Sequence, residues 1–445
     1  MGVLSTDADY NAESRWLEQK VVIHFSGMTP LEVTKDNLLI TTSILEESHS
    51  NNGASPFGGV TSNELTVELL NEDSIFSPTN VNSPYYGRMR RGVKIEVLIR
   101  PVAEEEYDWD PLGVFYVTDW NATVTGLVAT VTANDKLYSI FTGEIPDFII
   151  RRNISHYLFY QEIFASLGLS ADIDDSMTEV LKYAYIQSKH NNKDLLTTLG
   201  IGALADCFCK HDGTIKVHHL LAEQELRATI TDADQLIEAK IEQSLTSGYD
   251  GAEVIYNIPQ ENELANVLNM SELNIPTGKK VVKDIALSKT PLVRLGYAKL
   301  TGAPNARIIA IKAIPTKVEC TLENLDKDIP SASLDIFGNT LANNQLTLGD
   351  IGDNLLRVNN IYIQNIEYAQ KVYSHLKAYI NNLLPILEIT VRGNPRFELC
   401  DKLQVISDKY NLDYTGLIIK QTFDYDGGLS STITLLNIDV LQEVS

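Results

Sequence analysis

Val93-Lys94-Ile95-Glu96-Val97-Leu98-Ile99 begins with alternating apolar and polar side chains, the pattern of a half-buried β-strand. Gly113-Val114-Phe115-Tyr116-Val117 predicts the next strand, and Gly126 marks a turn before a third. Near the other end of the sequence, Asp401-Lys402-Leu403-Gln404-Val405 and Gly416-Leu417-Ile418-Ile419 repeat this arrangement, with Gly428 at the corresponding turn. Two unrelated meanders can look alike by coincidence, but the shared spacing favours the duplication of one barrel unit.

The first 150 residues contain several short alternating runs separated by turn-forming residues. The predicted strands cover residues 20–25, 64–70, 93–99, 113–119 and 127–132. Strands at this spacing indicate a barrel or a sandwich, and we take residues 1–150 as a first β domain of one of these types. Two loops interrupt it: residues 48–59 are polar and predicted to be exposed and mobile, and residues 77–87 hold two prolines and a Tyr-Tyr pair.

The pattern changes after the first barrel domain. Residues 155–167 carry apolar side chains at helical spacing and end at Gly168, and residues 194–205 predict a second helix. A hairpin follows at residues 208–220, because Asp212-Gly213 is a strong turn signal. Residues 151–225 are therefore predicted to form a small α+β domain.

Strands return from residue 226 onwards. We take residues 226–257, which include an alternating run at 252–256, together with residues 385–445 as a second β domain. Between them, residues 258–384 predict a β-rich insert with a closing helix at 365–384, ended by Pro385. The predicted strands of the insert are 281–287, 293–300, 307–314, 316–322 and 333–337, with no helix between 258 and 350.

Composition excludes several classes of function. The 445 residues fit about three domains. They include 36 basic and 59 acidic side chains, and a net charge of −23 argues against binding to nucleic acid or to an anionic membrane surface. Four cysteines suit free thiols in a reducing compartment. The acidic residues near the N-terminus predict that it is not a leader peptide, and the longest uncharged apolar stretch, residues 195–205, is predicted to be too short to cross a membrane. These features indicate a soluble protein made in a cytoplasm.

Two glycine motifs resemble nucleotide-binding loops but lack the required context. Gly200-Ile201-Gly202-Ala203-Leu204-Ala205 matches a dinucleotide fingerprint, yet it lies at the end of a predicted helix with no crossover helix after it. We therefore expect these glycines to serve close packing. Gly278-Lys279 resembles the end of a phosphate loop, but the first glycine and the final Ser or Thr of that motif are missing.

Two clusters could in principle hold a metal ion. Cys207 and Cys209, with His211, His218 and His219 nearby in sequence, offer zinc ligands, but the C-x-C spacing is unusual for a structural zinc site. A core thiol beside surface histidines is the preferred interpretation. Residues 104–106, with two aspartates just beyond, offer oxygen ligands but lack the pattern of a calcium loop, so a solvated hairpin tip is expected.

No hydrolase, protease or lipase signature occurs in the sequence. Scattered Asp and Glu side chains could supply a carboxylate pair for glycoside hydrolysis, but sequence does not reveal which of them face each other. We therefore predict no catalytic, cofactor-binding or metal-binding residues, and a protein that is not an enzyme.

Several segments together resemble the hub, or tail-tip, proteins of tailed bacteriophages and related injection machines. The resemblance runs in order along most of the chain, although each segment alone is a loose motif. Its segments are Ser62-Asn63-Glu64-Leu65, Ser83-Pro84-Tyr85-Tyr86-Gly87, Arg91-Gly92-Val93-Lys94-Ile95, Gly113-Val114-Phe115-Tyr116-Val117 with Trp120, Thr132-Ala133-Asn134-Asp135, Gly248-Tyr249-Asp250-Gly251-Ala252, Ser333-Leu334-Asp335-Ile336-Phe337-Gly338 and Gly393-Asn394-Pro395.

The resemblance implies a baseplate or tail-tip hub, a structural protein of the virion. Such hubs carry two tail-tube-like β-barrels separated by α+β and β-rich insertions, and they form homotrimers. The resemblance therefore implies that residues 1–150 are the first β-barrel domain and that residues 226–257 and 385–445 are the second. Six barrels in a ring could match a sixfold tail tube or distal tail protein on one side and a threefold tip, spike or fibre protein on the other. The ring would surround the channel for DNA and the tape-measure protein, without specific DNA binding and without a membrane.

Four further expectations concern how this chain compares with such hubs. Loops 48–59 and 77–87 are candidates for contacts between rings. Many of the carboxylates should face the channel, because an acidic wall repels phosphate within a Debye length of about 8–10 Å. The wide cysteine spacing does not support the iron–sulfur cluster of some tail tips, and we expect no wall-hydrolase domain attached to the second barrel pattern. The alternatives are a tail-associated enzyme that degrades cell wall and a receptor-binding β module.

Overall fold

The computed structural model describes most of the chain, and within that part strands far outnumber helices. The described residues are 4–11, 15–48, 57–103, 107–122, 126–143, 150–186, 191–232, 236–241, 249–325, 329–381 and 386–437. The helices are α1 (Asp7–Asn11), α2 (Lys136–Phe141), α3 (His156–Ser166), α4 (Asn192–Ala203) and α5 (Ile366–Asn381). The mainly β fold with small α+β insertions, predicted from alternation, is confirmed.

The strands are numbered in chain order. They are β1 (Leu17–His24), β2 (Leu31–Thr34), β3 (Leu39–Glu47), β4 (Glu64–Leu70), β5 (Lys94–Pro101), β6 (Asp110–Ala122), β7 (Val128–Asn134), β8 (Arg151–Ser155), β9 (Ala171–Ile173), β10 (Val180–Ala184), β11 (Ala205–Cys209), β12 (Ile215–His219), β13 (Leu226–Thr231), β14 (Leu236–Ile241), β15 (Gly251–Glu261), β16 (Ala265–Ile275), β17 (Gly278–Ala286), β18 (Leu292–Thr301), β19 (Ala306–Ala313), β20 (Lys317–Asn324), β21 (Ile329–Gly349), β22 (Leu355–Asn360), β23 (Ile386–Arg392), β24 (Lys402–Ser407), β25 (Leu412–Tyr425) and β26 (Leu429–Leu436).

One sheet of 13 strands forms the frame of the molecule. Its hydrogen-bonded order is β14-β23-β26-β25-β3-β4-β7-β6-β5-β1-β2, with β24 paired to β25 and β13 paired to β24. The sheet has two halves, which we call the first unit (β1–β7) and the second unit (β13, β14 and β23–β26). They meet where β3 pairs with β25. Each unit wraps one apolar core, with Val67 and Ile95 buried in the first and Ile389 and Ile433 buried in the second.

The two units share their strand order. In the first unit the order is β1-β5-β6-β7-β4-β3, and in the second it is β13-β24-β25-β26-β23-β14. Corresponding strands also occur in the same order along the chain. The meander β5-β6-β7, which contains the alternating run of residues 93–99, thus corresponds to the meander β24-β25-β26.

Irregularities of the backbone recur at corresponding positions. Tyr116 and Leu417 each pair with strands on both sides, and in both units a β-bulge adds one residue two positions later, at Thr118 and Ile419. A second bulge adds Ile40 to β3, opposite Glu68 and Leu69 of β4. The corresponding bulge adds Ile237 to β14, opposite Thr390 and Val391 of β23. Bulges bend a strand at defined places, so their coincidence supports a common origin of the units.

The loops that precede the two meanders also make corresponding backbone hydrogen bonds. The Val117 amide donates to the Val93 carbonyl at 2.9 Å, and the Ile418 amide donates to the Asp401 carbonyl at 3.0 Å. The residue before each acceptor has left-handed backbone, Gly92 with φ 81° and Cys400 with φ 68°. A cysteine rarely adopts this conformation, so the second unit keeps the shape of the first at some cost in strain.

The units differ at their outer ends. β1 is antiparallel to β5 and is followed by β2, whereas β13 is parallel to β24 and has no described strand beyond it. β15 overlaps the predicted second-barrel segment 226–257, but it pairs with β21 and β22 rather than with strands of the second unit. Along the chain, the insert connects β14 to β23. In the first unit, residues 48–63 connect the corresponding strands β3 and β4.

The insert contains two sheets around a shared core. β16, β15 and β18 flank the 21-residue strand β21, and β17 and β19 flank β20. Leu334, Ile336 and Leu322 are fully buried between them. No helix occurs among its described residues between 258 and 350, as predicted. α5 closes the insert by packing Val372 and Leu376 against the sheet of β15.

The elements β8–β12, α3 and α4 form the α+β part, which attaches to the frame through a close approach of glycines. Gly58 has φ +81°, and a Cβ there would lie 2.7 Å from the backbone nitrogen of Ile201 and 2.9 Å from the Thr197 carbonyl oxygen. On the other side, Gly200 of α4 faces the Gly58 Cα. The glycines of the motif at 200–205 therefore serve helix packing, as predicted.

We expect Gly58→Ala to lower the free energy of unfolding by about 2–5 kcal/mol, because it adds a steric clash to the cost of a left-handed residue. Gly87→Ala is the matched control, since Gly87 also has positive φ but a Cβ there meets nothing within 4 Å. Its cost should stay at about 1–2 kcal/mol. Chemical denaturation of both variants checks the prediction, and equal losses would contradict the packing argument.

Candidate functional site

The outer face of the 13-stranded sheet, turned away from the two cores, runs without interruption across both units. At the junction, the register sets Lys420 beside Glu47, Thr422 beside Leu45 and Asp424 beside Ser43. Directly paired residues point to the same side of a sheet, so the same face continues through β4, β7 and β6 in one direction and through β26, β23 and β14 in the other. We call this surface the outer face.

Short hydroxyl side chains occupy the middle of the outer face. They are Thr41, Ser43, Thr66, Thr130, Thr132, Thr390, Thr422, Ser430, Thr432 and Thr434. Most are only half-buried, so the face is accessible rather than packed against another layer. A polar surface of this kind can contact water or a hydrophilic polymer without binding it in a deep pocket.

Charges on the outer face are mostly negative. Among its described residues, the carboxylates are Glu47, Glu64, Glu68, Asp119, Glu238, Glu388 and Asp424, and the cations are Lys240, Arg392 and Lys420. Seven against three leaves a net charge of −4. Burial raises the pKa of Glu47, and Lys420 opposes that effect. An acidic wall repels phosphate groups at short range.

Behind the outer face, a buried ion pair joins three parts of the molecule. The Glu46 side chain of β3 is 1% exposed, and the His211 side chain, from the hairpin turn of the α+β part, is 4% exposed. His211 Nε2 lies 3.0 Å from the Glu46 carboxylate, and the Gln421 amide of β25 donates to the same carboxylate at 2.6 Å. We call these three residues the junction cluster.

The junction cluster holds a charge inside the protein. Burial alone would lower the pKa of His211, but the facing Glu46 carboxylate raises it to about 9, with a smaller contribution from Glu398. His211 is therefore protonated at neutral pH. Sequence gave no signal for this site, because its members are 165 and 375 residues apart.

The candidate zinc residues do not come together as a site. Cys207 and Cys209 are buried in the core of the α+β part, where burial raises the pKa of both thiols. The prediction that the histidines lie on the surface is wrong: His211 belongs to the junction cluster, and His218 is 5% exposed beside Asp174. Within the described residues, no group of three or more His, Cys, Asp or Glu is arranged to hold a metal ion.

A polar cleft of about 520 Å³ separates the α+β part from the loop before β24. Inside it, Asp174 lies 2.8 Å from His218 Nδ1 and also pairs with Lys216. Burial acts to raise the pKa of Asp174, but hydrogen bonds from His218 and Lys216 hold it well below its usual range. Sequence reasoning missed this cleft, whose lining includes the ion pairs Lys216–Asp174 and Lys210–Glu398 and more carboxylates than cations.

The remaining predicted segments lie as follows. Residues 104–106, at the expected acidic hairpin tip, and residues 49–56 of the first loop lie outside the described residues. The described ends of that first loop, Ser48 and Phe57, are buried.

Loop 77–87 folds back onto the core of the first unit. Tyr85 stacks on Phe25 and Phe76, with ring centroids 4.7 and 5.5 Å apart. Val81 and Tyr86 point outward, 68% and 50% exposed. These two side chains keep loop 77–87 a candidate for contacts with a partner.

The fold is one that solved tail proteins share. The chain is similar to the 43 kDa tail protein of prophage MuSo2 from Shewanella oneidensis, with 12% identity and a TM-score of 0.52 over 95% of this chain and 99% of that one. It is also similar to a tail protein from Neisseria meningitidis MC58, with 11% identity and a TM-score of 0.53 over 95% and 98% of the two chains. The predicted resemblance to phage tail proteins is thus confirmed at the level of fold.

Sequence comparison adds nothing to this similarity. No protein-family model matches the chain, and no curated protein matches it. No helix among the described residues has the length and apolar character needed to span a bilayer.

Proposed function

We propose that the chain is a structural protein of a phage tail tip or baseplate: a trimeric hub that joins a sixfold tail tube or distal tail ring to a threefold tip or spike. The observation that carries this proposal is the pair of units with one strand order and coincident bulges. Three chains with two such units each supply six similar elements for a ring. The tail-protein fold supports the same assignment.

In this hub the outer face lines the channel through which DNA and the tape-measure protein pass. A surface of hydroxyls with a net charge of −4 per chain supports the role, because it offers phosphate no attractive partner. The overall charge of −23 agrees. Distal tail or tube protein and a tip, spike or fibre protein are the proposed neighbours in the virion, and the hub is made in the host cytoplasm without a membrane.

The proposed domain division follows the sequence analysis. Residues 1–150 and the segments 226–257 and 385–445 are the two tube-like barrels, 151–225 is the α+β domain and 258–384 is the insert. Pairing of β15 with β21 and β22 suggests moving the boundary of the second barrel back to about residue 250. We propose a structural and not an enzymatic role, supported by the lack of a catalytic motif in the sequence.

Native mass spectrometry and electron microscopy of the purified chain test the proposal. We expect the mass of three chains and end-on images of a ring with six similar lobes and threefold symmetry. Mass spectrometry of virions should find the chain in the tail. A protein that stays monomeric at high concentration and is missing from virions would overturn the hub.

A further inference from the structure

The sheet of β16, β21 and β18 turns one side towards the core of the insert. Leu334 and Ile336 of β21 lie in that core, so Asp335 and Phe337 point to the other side. Directly paired residues of the flanking strands share this side, and all of them are exposed or half-buried. We call six of these residues the insert face: Asn269, Asp335 and Lys299 in one row, and Asn266, Phe337 and Tyr297 in the next.

Two aromatic rings form the apolar part of the insert face. Tyr297 and Phe337 stack across their strands, with ring centroids 4.6 Å apart and ring planes 14° apart. Stacking covers one face of the Tyr297 ring, yet this side chain is 50% exposed. The other face of the ring therefore offers an apolar surface next to a polar hydroxyl group.

The carboxylate beside the ring pair is held in a fixed orientation. The side-chain amides of Asn266 and Asn269 both donate to Asp335 Oδ1, at 3.0 and 2.6 Å. These bonds use one carboxylate oxygen and leave Oδ2 available to accept a hydrogen bond from a ligand. A polar group that is already locked in place binds a ligand at a lower entropic cost.

The insert face carries balanced charge in a strongly acidic chain. It holds one carboxylate, Asp335, and one ammonium group, Lys299, whereas the whole chain has a net charge of −23. An acidic polymer is repelled by the chain, and a cationic polymer finds no net negative charge on this face. The charge and the mixture of donors and acceptors are therefore complementary to a neutral partner rich in hydroxyl groups.

The size of the insert face favours a small partner. Only two of its six side chains are aromatic or aliphatic, which falls short of the apolar centre of a stable protein interface of about 800 Å² per partner. An aromatic surface beside a few fixed polar groups is instead the composition of a site for a small molecule or for one segment of a polymer.

We propose that the insert face binds a neutral saccharide chain. A pyranose ring has an apolar face of C–H groups, which packs on the open face of Tyr297, and hydroxyl groups around its rim. One hydroxyl donates to Asp335 Oδ2, and a neighbouring hydroxyl accepts from the Lys299 ammonium group. This inference goes beyond the proposed hub and does not depend on it.

The binding is expected to be weak for a single copy. A shallow face covers little of a saccharide, so the Kd of one site should be about 1 mM. If three copies assemble as proposed, three such faces act on one carbohydrate-covered surface, and avidity raises the apparent affinity by about 10²-fold or more. Weak repeated contacts of this kind suit reversible attachment to a cell surface.

An array of immobilised neutral and acidic oligosaccharides, read with an antibody to the full chain, tests the proposal. We expect wild type to bind one or more of the neutral oligosaccharides. Tyr297→Ala should weaken this binding by about tenfold or more, because it removes the ring. Asp335→Asn should weaken it by about tenfold, because an amide oxygen accepts less strongly than a carboxylate. Calorimetric titration with the best neutral oligosaccharide in soluble form measures each Kd.

Tyr138→Ala and Asp353→Asn are the matched controls. Tyr138 is 47% exposed on α2, and Asp353 is an exposed carboxylate in the loop before β22. Both variants should bind as wild type does, and circular dichroism should show the same fold for all of them. Asp335→Asn keeps the shape of the side chain, so it tests the site even where Tyr297→Ala is destabilised.

Three results would overturn the saccharide site and leave the hub standing. The first is that wild type binds no neutral oligosaccharide, and the second is that Tyr297→Ala and Asp335→Asn bind as well as their controls. The third comes from native mass spectrometry: a trimer that forms in wild type but not in folded Tyr297→Ala would assign the insert face to a contact between copies. A wild type that stays monomeric bears on the hub alone.

Discussion

Replacing Glu46 by alanine is expected to lower the free energy of unfolding by about 3–5 kcal/mol, because the buried His211 must then either stay charged without its counter-charge or give up its proton. His211 is 4% exposed and lies 3.0 Å from Glu46, so in the wild type the carboxylate rather than bulk water compensates its charge. Gln421 would lose an acceptor at the same time. Chemical denaturation of wild type and variant measures the loss.

Glu64→Ala is the matched control, because Glu64 is an exposed carboxylate on the strand next to β3. Its effect should stay within about 0.5 kcal/mol. The double variant Glu46→Ala with His211→Ala should be less destabilised than the sum of the two single variants, because it buries no lone charge. Equal losses for Glu46→Ala and Glu64→Ala would show that the junction cluster is not a stabilising ion pair.

The same pair predicts a pH dependence. The pKa of His211 rises from 6.5 to about 9 on folding, so its contribution to stability is complete below about pH 6.5 and is lost as the pH rises through about 9. Wild type should therefore lose stability between pH 7 and pH 9.5, and the His211→Ala variant should show a flatter profile. Parallel profiles for the two proteins would contradict the assignment.

Reversing charge on the outer face is expected to turn a non-binder into a DNA-binding protein. In the variant Glu47→Lys, Glu64→Lys, Glu68→Lys and Asp119→Lys, each change adds two positive charges, so the face goes from −4 to +4 per chain. We expect micromolar binding of a linear duplex at about 50 mM salt, falling by about 10³-fold by 200 mM as counterions compete. Wild type should show no binding at either salt concentration.

The control for this experiment reverses four carboxylates that lie away from the outer face, Asp36, Glu72, Glu225 and Glu263, all exposed. It carries the same total charge as the test variant but spreads it over the rest of the surface. Its binding should be at least tenfold weaker in a fluorescence-anisotropy titration. Equal binding by the two variants would mean that the outer face has no special access to DNA.

Strong local patterns in the sequence were sufficient to predict many elements. β4 begins and ends at the predicted residues 64–70, because its apolar side chains alternate without a break. α3 differs from its prediction by one residue at each end, and its N-terminus is capped by Ser155. Alternation and caps are local, so they can be recognised without knowledge of the fold.

Elements that depend on distant partners were missed. β21 was predicted only at 333–337, because its later part has the polar run Asn343-Asn344-Gln345, which is held in strand conformation by pairing with β15. β16 has no regular alternation and three register shifts against β21. The duplication was detected from two similar meanders, whereas its best support, the coincident bulges, is invisible in the sequence.

The candidate site, too, could be predicted from the sequence only in part. The excess of carboxylates predicted an acidic surface, but only the strand register shows which of them share one face. The junction cluster could not be predicted at all, because three separate segments bring its members together.

The position of the insert has a consequence for how such a chain can change. In a ring of six identical subunits, any added segment appears six times and must find room beside five copies of itself. Here the insert interrupts only the second unit, between β14 and β23, while the first unit keeps a short connection at the same place. In the proposed trimer an added domain appears three times, at every other position. Covalent linkage of two diverged units thus lets one half specialise while the other preserves the ring.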